Sequence, residues 1–348
     1  MNAAKRTAIT LPLLAVLLVT VMVLAVGLGA VRVPAGTVLR VLVRAVGIAS
    51  GEEPTRQQAA IVLHIRLPRV LAAFIVGATL AVGGTVMQGL FRNPMASPDV
   101  LGITAGSSLG AVVSVTAGLT AAGILFLPLL AIAGALLAAT LIYLVSSHRG
   151  RTSLLFVVLA GLAISSLFNG LVSGILLFSN EYEVSQFIFW TMGSLDGRMW
   201  KHVLLPLPFL VPVLAFQFAH VRELNLFALG EEHAHSLGMH VERTKRLLLG
   251  ATAVATAMAV AMAGPVGFVG LLMPHLFRLI VGADHRSLMP AAALGGALFL
   301  VMCDLLARIL VPPFEIRVGI ITALLGSPYF LLLIIRSQRR GIRGAIHE

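Results

Sequence analysis

Long apolar runs separated by short polar stretches repeat along most of this chain. A transmembrane helix needs about 20 mainly apolar residues to cross about 30 Å of hydrocarbon. The pattern therefore predicts an all-α, polytopic membrane protein with a single domain, 1–348, and about ten transmembrane helices. The predicted crossings are 9–31, 67–90, 100–117, 124–145, 154–178, 203–218, 247–263, 267–281, 289–310 and 318–335.

Three details refine this pattern. The third crossing is rich in glycine and serine, so it should pack closely against its neighbours through small residues. Cys303 is the only cysteine and lies in an apolar run, so we expect it to serve packing. We expect the polar stretch after the first crossing to be partly helical along the membrane surface. Its charged residues are Arg32, Arg40, Arg44, Glu52, Glu53 and Arg56.

Residues 221–246, VRELNLFALGEEHAHSLGMHVERTKR, interrupt the apolar pattern with four acidic residues, four basic residues and three histidines. We predict two short helices here, 224–229 and 231–237, each followed by a glycine, Gly230 or Gly238, that tolerates positive φ. The predicted apolar side consists of Leu224, Leu226, Phe227 and Leu229. Two interpretations fit: a solvated loop, or a docking surface through which a soluble partner moves the membrane part.

Composition supports the membrane assignment, because 58% of the residues are hydrophobic, 11% are charged and the mean hydropathy is +0.99. The net charge of +11 could indicate nucleic-acid binding. Most of the arginines lie at the ends of apolar runs, however, where membrane anchors are found. We therefore expect a membrane and no nucleic acid as the partner of these charges.

Basic residues also predict the orientation, because cytoplasmic loops carry an excess of lysine and arginine. With the N-terminus in the cytoplasm, alternate loops place 15 basic residues inside and 10 outside. Both termini and the 221–246 segment are then cytoplasmic. This prediction requires that the eighth run, which Pro274 interrupts, crosses the membrane.

The outside basic residues exceed what orientation alone requires. Arg66 and Arg69 flank Pro68 at the head of the second crossing, and Arg308 lies near the end of the ninth. They fit either interface anchors that extend towards the headgroups or a surface that meets an acidic partner from outside. Asp304 and Arg308 are spaced i,i+4, which predicts an ion pair on one helix.

Little in the chain points to catalysis. None of its lysines completes a phosphate-binding loop, G-x-x-x-x-G-K-[ST], so a partner must perform any ATP hydrolysis. The histidines His233, His235 and His240 are more typical of a solvated loop than of a metal site. An ion-driven transporter or a membrane-embedded enzyme would need charged or polar clusters at mid-membrane depth. Asp304 is the only carboxylate within a predicted crossing, and it lies near the surface.

Four long motifs resemble the iron-siderophore and cobalamin permease family of ABC importers. They are RLPRVLAAFIVGATLAVGGTVMQGLFRNPMASPDVLG (66–102), LNLFALGEEHAHSLGMHVERTKR (224–246), AGPVGFVGLLMPHLFRLIVGADHRSLMP (263–290) and DLLARILVPPFEIRVGIITALLGSPYF (304–330). The resemblance extends over nearly the whole chain, with the motifs in the family's order. Arg317 departs from it, since the family usually has proline there.

The resemblance implies the permease fold of a type II ABC importer, with ten helices per chain and neither enzymatic activity nor a cofactor. Two permease chains, identical or paralogous, would form the pathway in the bacterial plasma (inner) membrane. Two ATPase subunits would bind on the cytoplasmic side, and a periplasmic or lipid-anchored substrate-binding protein would bind outside. Ferric siderophore is the expected substrate, because RNPMASPDVLG and MGSLDGRMW look most like that branch; haem and cobalamin are the alternatives.

The resemblance also implies roles for individual residues. The ATPase-coupling residues would be Leu226, Ala228, Leu229, Gly230, Glu231, Glu232, Ala234, Leu237 and Gly238. The residues that dock the binding protein would be Arg66, Arg69 and Arg308. The fifth helix would line the pathway with Gly161, Ser165, Ser166, Asn169, Gly170 and Ser173. These small and polar side chains suit close helix packing equally well.

Overall fold

A computed structural model of the protein describes residues 3–29, 32–45, 47, 54–123, 125–148 and 151–345. Glu52 and Glu53 of the polar stretch, Arg149 and the end of the first predicted crossing lie outside these described residues. The α-helices, in chain order, are α1 Ala3–Gly27, α2 Ala35–Ala45, α3 Arg56–Ala60, α4 Leu67–Phe91, α5 Ile103–Thr116, α6 Leu119–Ala122, α7 Phe126–Ser146, α8 Leu154–Leu177, α9 Glu181–Thr191, α10 Trp200–Leu204, α11 Leu207–Ala219, α12 Val221–Ala228, α13 Glu231–Ser236, α14 Val241–Ala263, α15 Val269–Val281, α16 His285–Ile309 and α17 Val318–Ala345.

Three further elements complete the described chain. A π-helix, Ile61–Arg66, joins α3 to α4, and a 3₁₀ helix, Pro98–Leu101, precedes α5. Two short strands, β1 Ser147–His148 and β2 Arg151–Thr152, pair antiparallel between α7 and α8. The polar stretch after the first crossing contains α2, so its predicted partial helicity is confirmed.

Seven helical stretches of the described chain are long and apolar enough to cross a membrane. They are Lys5–Gly27, Arg56–Phe91, Phe126–Ser146, Leu154–Leu177, Trp200–Ala219, Val241–Ala263 and His285–Ile309. Three shorter apolar helices, Ile103–Thr116, Val269–Val281 and Val318–Leu332, occupy the third, eighth and tenth predicted crossings. The all-α membrane fold is therefore confirmed, and ten is an approximate number of crossings.

Helix α4 occupies the centre of the fold, where it packs against α14, α15 and α16. Within Arg56–Phe91, 78% of the most apolar stretch is buried inside the chain, against 22% for the corresponding stretch of α1. The apolar side chains of α1 and α8 instead face outwards, including Leu13 and Leu155. Apolar surface of this extent is typical of contact with lipid or with another membrane subunit.

Glycines allow the central helices to approach closely. Gly77 of α4 and Gly296 of α16 face each other, and a Cβ on either would collide with the carbonyl oxygen of the other. Gly106 of α5 and Gly134 of α7 form the same kind of contact. Membrane helices gain little from the hydrophobic effect against one another, so close van der Waals contact is a main source of their association. The close packing predicted for the third crossing is confirmed.

The second crossing begins earlier than its apolar run predicts. Helical structure is continuous from Arg56 through the π-helix into α4, and the helix type changes just before Pro68, which has no backbone N–H to donate. A capping box starts this helix: Thr55 Oγ1 accepts from Gln58 N, and the Gln58 side chain accepts from Thr55 N, each at 3.2 Å.

Candidate functional site

The 221–246 segment folds into α12, α13 and the first turns of α14. Both predicted helices are confirmed, with ends displaced by up to three residues. Gly230 and Gly238 follow the two helices with φ values of 106° and 84°. A side chain would be strained at these values, so glycine suits both positions.

One side of the 221–246 segment packs against other helices of the chain, and the other side is exposed. Leu224, Phe227 and Ala234 are buried in an apolar cluster that also includes residues of α4 and α14. Leu229 and Leu237, in contrast, are 60% and 62% exposed. The prediction that Leu229 shares the apolar side of Leu224 is therefore wrong, because α12 ends at Ala228 and Leu229 leaves its periodicity. Among the other predicted coupling residues, Ala228, Glu232 and Gly238 are exposed, Leu226 and Glu231 are partly buried, and Gly230 is buried.

Asn225 connects α12 to the N-terminus of α16. Its Nδ2 donates to Asp284 Oδ1 at 2.7 Å, while its Oδ1 accepts from His285 N at 2.9 Å and lies 2.8 Å from His285 Nδ1. Asp284 caps α16 by accepting from Arg286 N at 3.0 Å. This backbone hydrogen bond, aided by the one from Asn225, lowers the pKa of Asp284. The segment is thus tied by side chains to a long buried helix.

The opposite ends of α4 and α16 hold an arginine cluster, which consists of Arg66, Arg69, Asp304, Arg308 and Glu315. Arg69 donates through Nε to Asp304 Oδ1 at 2.9 Å and through Nη1 to Glu315 Oε2 at 2.8 Å. Arg308 Nη2 lies 3.2 Å from Asp304 Oδ2, so the predicted i,i+4 ion pair is confirmed. Arg66 and Arg308 also donate to carbonyl oxygens in the last turn of α1, at 2.8–3.0 Å.

The structure therefore brings together the three arginines that we predict to dock a binding protein, but it bonds each of them within its own chain. They are only 7–8% exposed. The accessible charges beside them are carboxylates: the side chains of Glu315 and Asp196 are 42% and 59% exposed, and Asp196 Oδ1 lies 3.5 Å from Arg69 Nη1. Sequence reasoning missed both carboxylates, because no local pattern links them to Arg69. Docking by the arginines stays a prediction.

Helix α8 carries the predicted pathway residues in three settings. Ser165 and Asn169 line a cleft of about 490 Å³, which α4, α5, α14 and α15 help to enclose. Gly161 is buried, with the carbonyl oxygen of Val100 where its Cβ would be, so it allows close packing. The remaining predicted residues, Ser166, Gly170 and Ser173, are exposed.

The cleft also contains polar groups that the sequence analysis did not single out. Thr104 Oγ1 donates to Asp99 Oδ1 at 2.6 Å, and Ser108 and Thr256 line the same space. Asp99 follows Pro98 in the 3₁₀ helix between the second and third crossings, and a carboxylate so close to an apolar run is a signal that could have identified it. Among the described residues, no group of three or more His, Cys, Asp or Glu is arranged to hold a metal ion.

These features define a helical membrane protein: apolar helices surround a central pair, and a polar segment lies at one end of that pair and a charged cluster at the other. The sequence model of the FecCD transport family matches residues 17–336. The chain belongs to the FecCD transport family, whose members are membrane subunits of transporters rather than enzymes. The resemblance found in the sequence is confirmed.

Individual relatives agree with this assignment. The chain is 44% identical to the cobalamin import system permease protein BtuC of Halobacterium salinarum over 282 residues, 81% of this chain and 75% of that protein. It is 44% identical to the hemin transport system permease protein HmuU of Yersinia pestis over 281 residues, 80% of this chain and 84% of that protein. The Fe(3+) dicitrate transport system permease protein FecD of Escherichia coli is 39% identical over 278 residues, 80% of this chain and 86% of that protein.

A solved structure shows the same architecture. An inward-facing structure described as a metal-chelate type ABC transporter superposes with a TM-score of 0.82 and 33% sequence identity, covering 94% of this chain and 98% of that one. The chain is therefore a multi-pass permease of a metal-chelate type ABC importer.

Proposed function

We propose that this chain is the single-domain transmembrane subunit of an ATP-driven importer in the bacterial plasma membrane, and that its cargo is a ferric siderophore. Two permease chains, identical or paralogous, form the pathway. Two ATPase subunits bind the 221–246 segments, and a periplasmic or lipid-anchored substrate-binding protein binds at the arginine cluster. One observation carries the proposal: the antiparallel helices α4 and α16 have a polar face at each end.

Exposed apolar side chains support an ATPase contact at the 221–246 segment. Leu229 and Leu237 are exposed on either side of the exposed Glu232, whereas the other large apolar residues of the segment are buried or partly buried. Exposed apolar groups framed by polar ones are typical of a protein interface. When ATP closes the ATPase subunits on each other, α12 and α13 follow them, and the two permease chains move between two discrete packings.

Charge supports a second contact at the other end. Arg69 already binds carboxylates, and two of them, Glu315 and Asp196, belong to exposed side chains. An acidic partner can offer carboxylates to Arg69 in their place without leaving this buried charge unpaired.

The cargo has two candidate classes. The RNPMASPDVLG and MGSLDGRMW stretches and the relative named for Fe(3+) dicitrate favour a ferric siderophore. The relatives named for cobalamin and hemin, each 44% identical, favour haem or cobalamin as the second candidate. Both candidates require the same importer subunits and differ only in the cargo that the binding protein delivers.

The test is uptake into proteoliposomes that contain the complete importer and its binding protein, with iron-loaded siderophore, haem and cobalamin offered separately. Two matched variants accompany the wild type. Glu232→Arg reverses an exposed charge in the first turn of α13, and Glu181→Arg makes the same change in the first turn of α9, beyond the far end of α8.

We expect ATP-dependent uptake of the siderophore, a loss of about tenfold or more in Glu232→Arg, and little change in Glu181→Arg, because a charge reversal within an interface costs several kcal/mol. Uptake of only haem or only cobalamin would refute the ferric siderophore as cargo and leave the proposed importer unchanged. Equal uptake by both variants would refute the ATPase contact. Uptake driven by an ion gradient without ATP would refute the importer itself.

A further inference from the structure

Lys245, in the second turn of α14, is a buried charge that the sequence analysis counted only as a basic residue. It is 1% exposed. Its Nζ donates to a Glu231 carboxylate oxygen at 2.9 Å, to Thr152 O at 3.0 Å and to Glu242 Oε1 at 3.1 Å. An ammonium group has three protons to donate, so these three acceptors satisfy it completely. Lysine is almost never this buried without partners, and here it has a full set.

The acceptors belong to elements with different proposed roles. Glu231 begins α13, next to the exposed residues proposed to meet the ATPase. Thr152 ends β2 and lies two residues before α8, the helix predicted to line the pathway. Glu242 completes the arrangement, because its Oε2 accepts from Thr152 N at 2.8 Å while its Oε1 binds Lys245. Both backbone polar groups of Thr152 are therefore held by the Lys245–Glu242 pair.

The side chain of Thr152 is held as well, so the start of α8 has little freedom. Its Oγ1 lies 2.9 Å from Ser147 Oγ across the small β-hairpin, and the residue is only 2% exposed. If α13 moved away from α8, Lys245 would lose the Glu231 carboxylate and keep Glu242 and Thr152 O. One proton of a buried ammonium group would then have no acceptor, which is unfavourable. The two elements are thus expected to move together.

We propose that Lys245, Glu242, Glu231 and Thr152 form a hub that passes movement of the ATPase-bound segment to the pathway helix α8. Lys245 and Glu242 are positioning residues in this scheme. They contact neither cargo nor nucleotide, and they act by holding the N-terminal end of α8 against α13. The inference rests on the proposed function, because it needs an ATPase at the 221–246 segment, and on the predicted pathway along α8.

The experiment measures cargo transported per ATP hydrolysed by the complete importer in proteoliposomes, with whichever of ferric siderophore, haem or cobalamin the wild type carries. This ratio does not depend on how much importer assembles, so a loss of stability alone leaves it unchanged. Lys245→Met removes the charge from a chain of similar length. Lys245→Arg keeps a charge and several donors, and Lys201→Met is the matched control at an exposed lysine of α10.

We expect Lys245→Met to lower the ratio by about tenfold, within the 5- to 150-fold range of typical coupling between sites. Lys245→Arg should recover most of it, and Lys201→Met should match the wild type. An unchanged ratio in Lys245→Met would overturn the hub. A wild type without any ATP-dependent transport would instead overturn the proposed function, so the two failures are distinguishable.

A second variant covers the case in which Lys245→Met does not reach the membrane. Glu242→Gln keeps the shape of a side chain that is 28% exposed, and it weakens the hold on both Lys245 and Thr152. We expect the same fall in cargo per ATP. Where both single variants assemble, the double variant should be no worse than the poorer of them, because they break one unit. Fully additive losses, or no loss in Glu242→Gln, would overturn a shared hub.

Discussion

Asp304 shows how much one buried side chain can determine at the residue scale. It is 1% exposed, lies in the last third of α16, and faces both Arg69 and Arg308. Two buried guanidinium groups of like charge therefore share one buried carboxylate. Sequence spacing predicts the Arg308 pair, four residues away, whereas Arg69 is 235 residues away and reaches Asp304 only through the packing of α4 on α16.

Replacing Asp304 by alanine should destabilise the protein by about 3–5 kcal/mol, because two buried positive charges would lose their shared partner. Asp196→Ala is the matched control: it removes a carboxylate that also approaches Arg69, but one with a 59% exposed side chain. Such an exposed pair contributes only about 0–1 kcal/mol. Thermal unfolding of the detergent-purified proteins measures both, and equal losses would contradict the buried network.

Asn225 offers a second prediction at this scale. Its amide satisfies the His285 backbone N–H and the Asp284 carboxylate, and its oxygen also contacts the His285 ring. Asn225→Ala should cost about 1–3 kcal/mol, since the His285 N–H at the start of α16 would lose its acceptor and the Asp284 carboxylate would lose a donor. The same thermal measurement checks it. Asn93→Ala is the control: it removes an exposed amide whose oxygen accepts a hydrogen bond from Met95 N, and it should lower the stability clearly less. A similar loss of stability in both variants would show that Asn225 does not hold α12 to α16.

At the scale of elements, close helix contact depends on particular glycines. A Cβ at Gly296 would lie 2.5 Å from Ala81 Cβ and closer still to the carbonyl oxygen of Gly77, so neither helix can yield without moving backbone. Gly250 of α14 is also helical, but nothing lies within 4 Å of the place where its Cβ would be.

Alanine at these two positions should therefore have opposite effects. Gly296→Ala should destabilise the fold by about 1–3 kcal/mol through overpacking between α4 and α16. Gly250→Ala should be neutral or stabilising by about 0.5–1 kcal/mol, because alanine costs less entropy than glycine in a helix. Denaturation in detergent distinguishes them, and a destabilised Gly250→Ala beside an unaffected Gly296→Ala would refute the contact.

The sequence predicts most of the elements because a helix in lipid must satisfy its own backbone, so the length of an apolar run carries the information. Polar elements are recognised less well. α9 was not predicted, although Asn180 and Glu183 form a capping box that was visible as N-E-Y-E. Within the arginine cluster only the Asp304–Arg308 pair could be predicted, and the hub could not be predicted at all. Lys245 and Thr152 are 93 residues apart, and only tertiary packing gives a buried charge its partners.

At the scale of the whole molecule, α4 and α16 place two polar faces at opposite ends. The N-terminus of α16 meets α12 through Asn225, and its C-terminal part meets the start of α4 through Asp304. Helix α16 has 25 residues and a rise of about 1.5 Å per residue, which is enough to span the hydrocarbon core. The two faces are therefore expected on opposite sides of the membrane, and the distribution of basic residues predicts that the 221–246 face is cytoplasmic.

Single cysteines can test this orientation, because Cys303 is the only native cysteine and is buried. His235→Cys marks exposed α13, and Asp196→Cys marks the exposed rim of the arginine cluster. In intact spheroplasts, a membrane-impermeant thiol reagent should label Asp196→Cys and leave both His235→Cys and the wild type unlabelled. Opening the membrane should then expose His235→Cys. The reverse labelling pattern would mean that the orientation is inverted. Labelling of both variants in intact spheroplasts would place the two polar faces on the same side of the membrane. In that case α16 could not connect an ATPase inside to a binding protein outside.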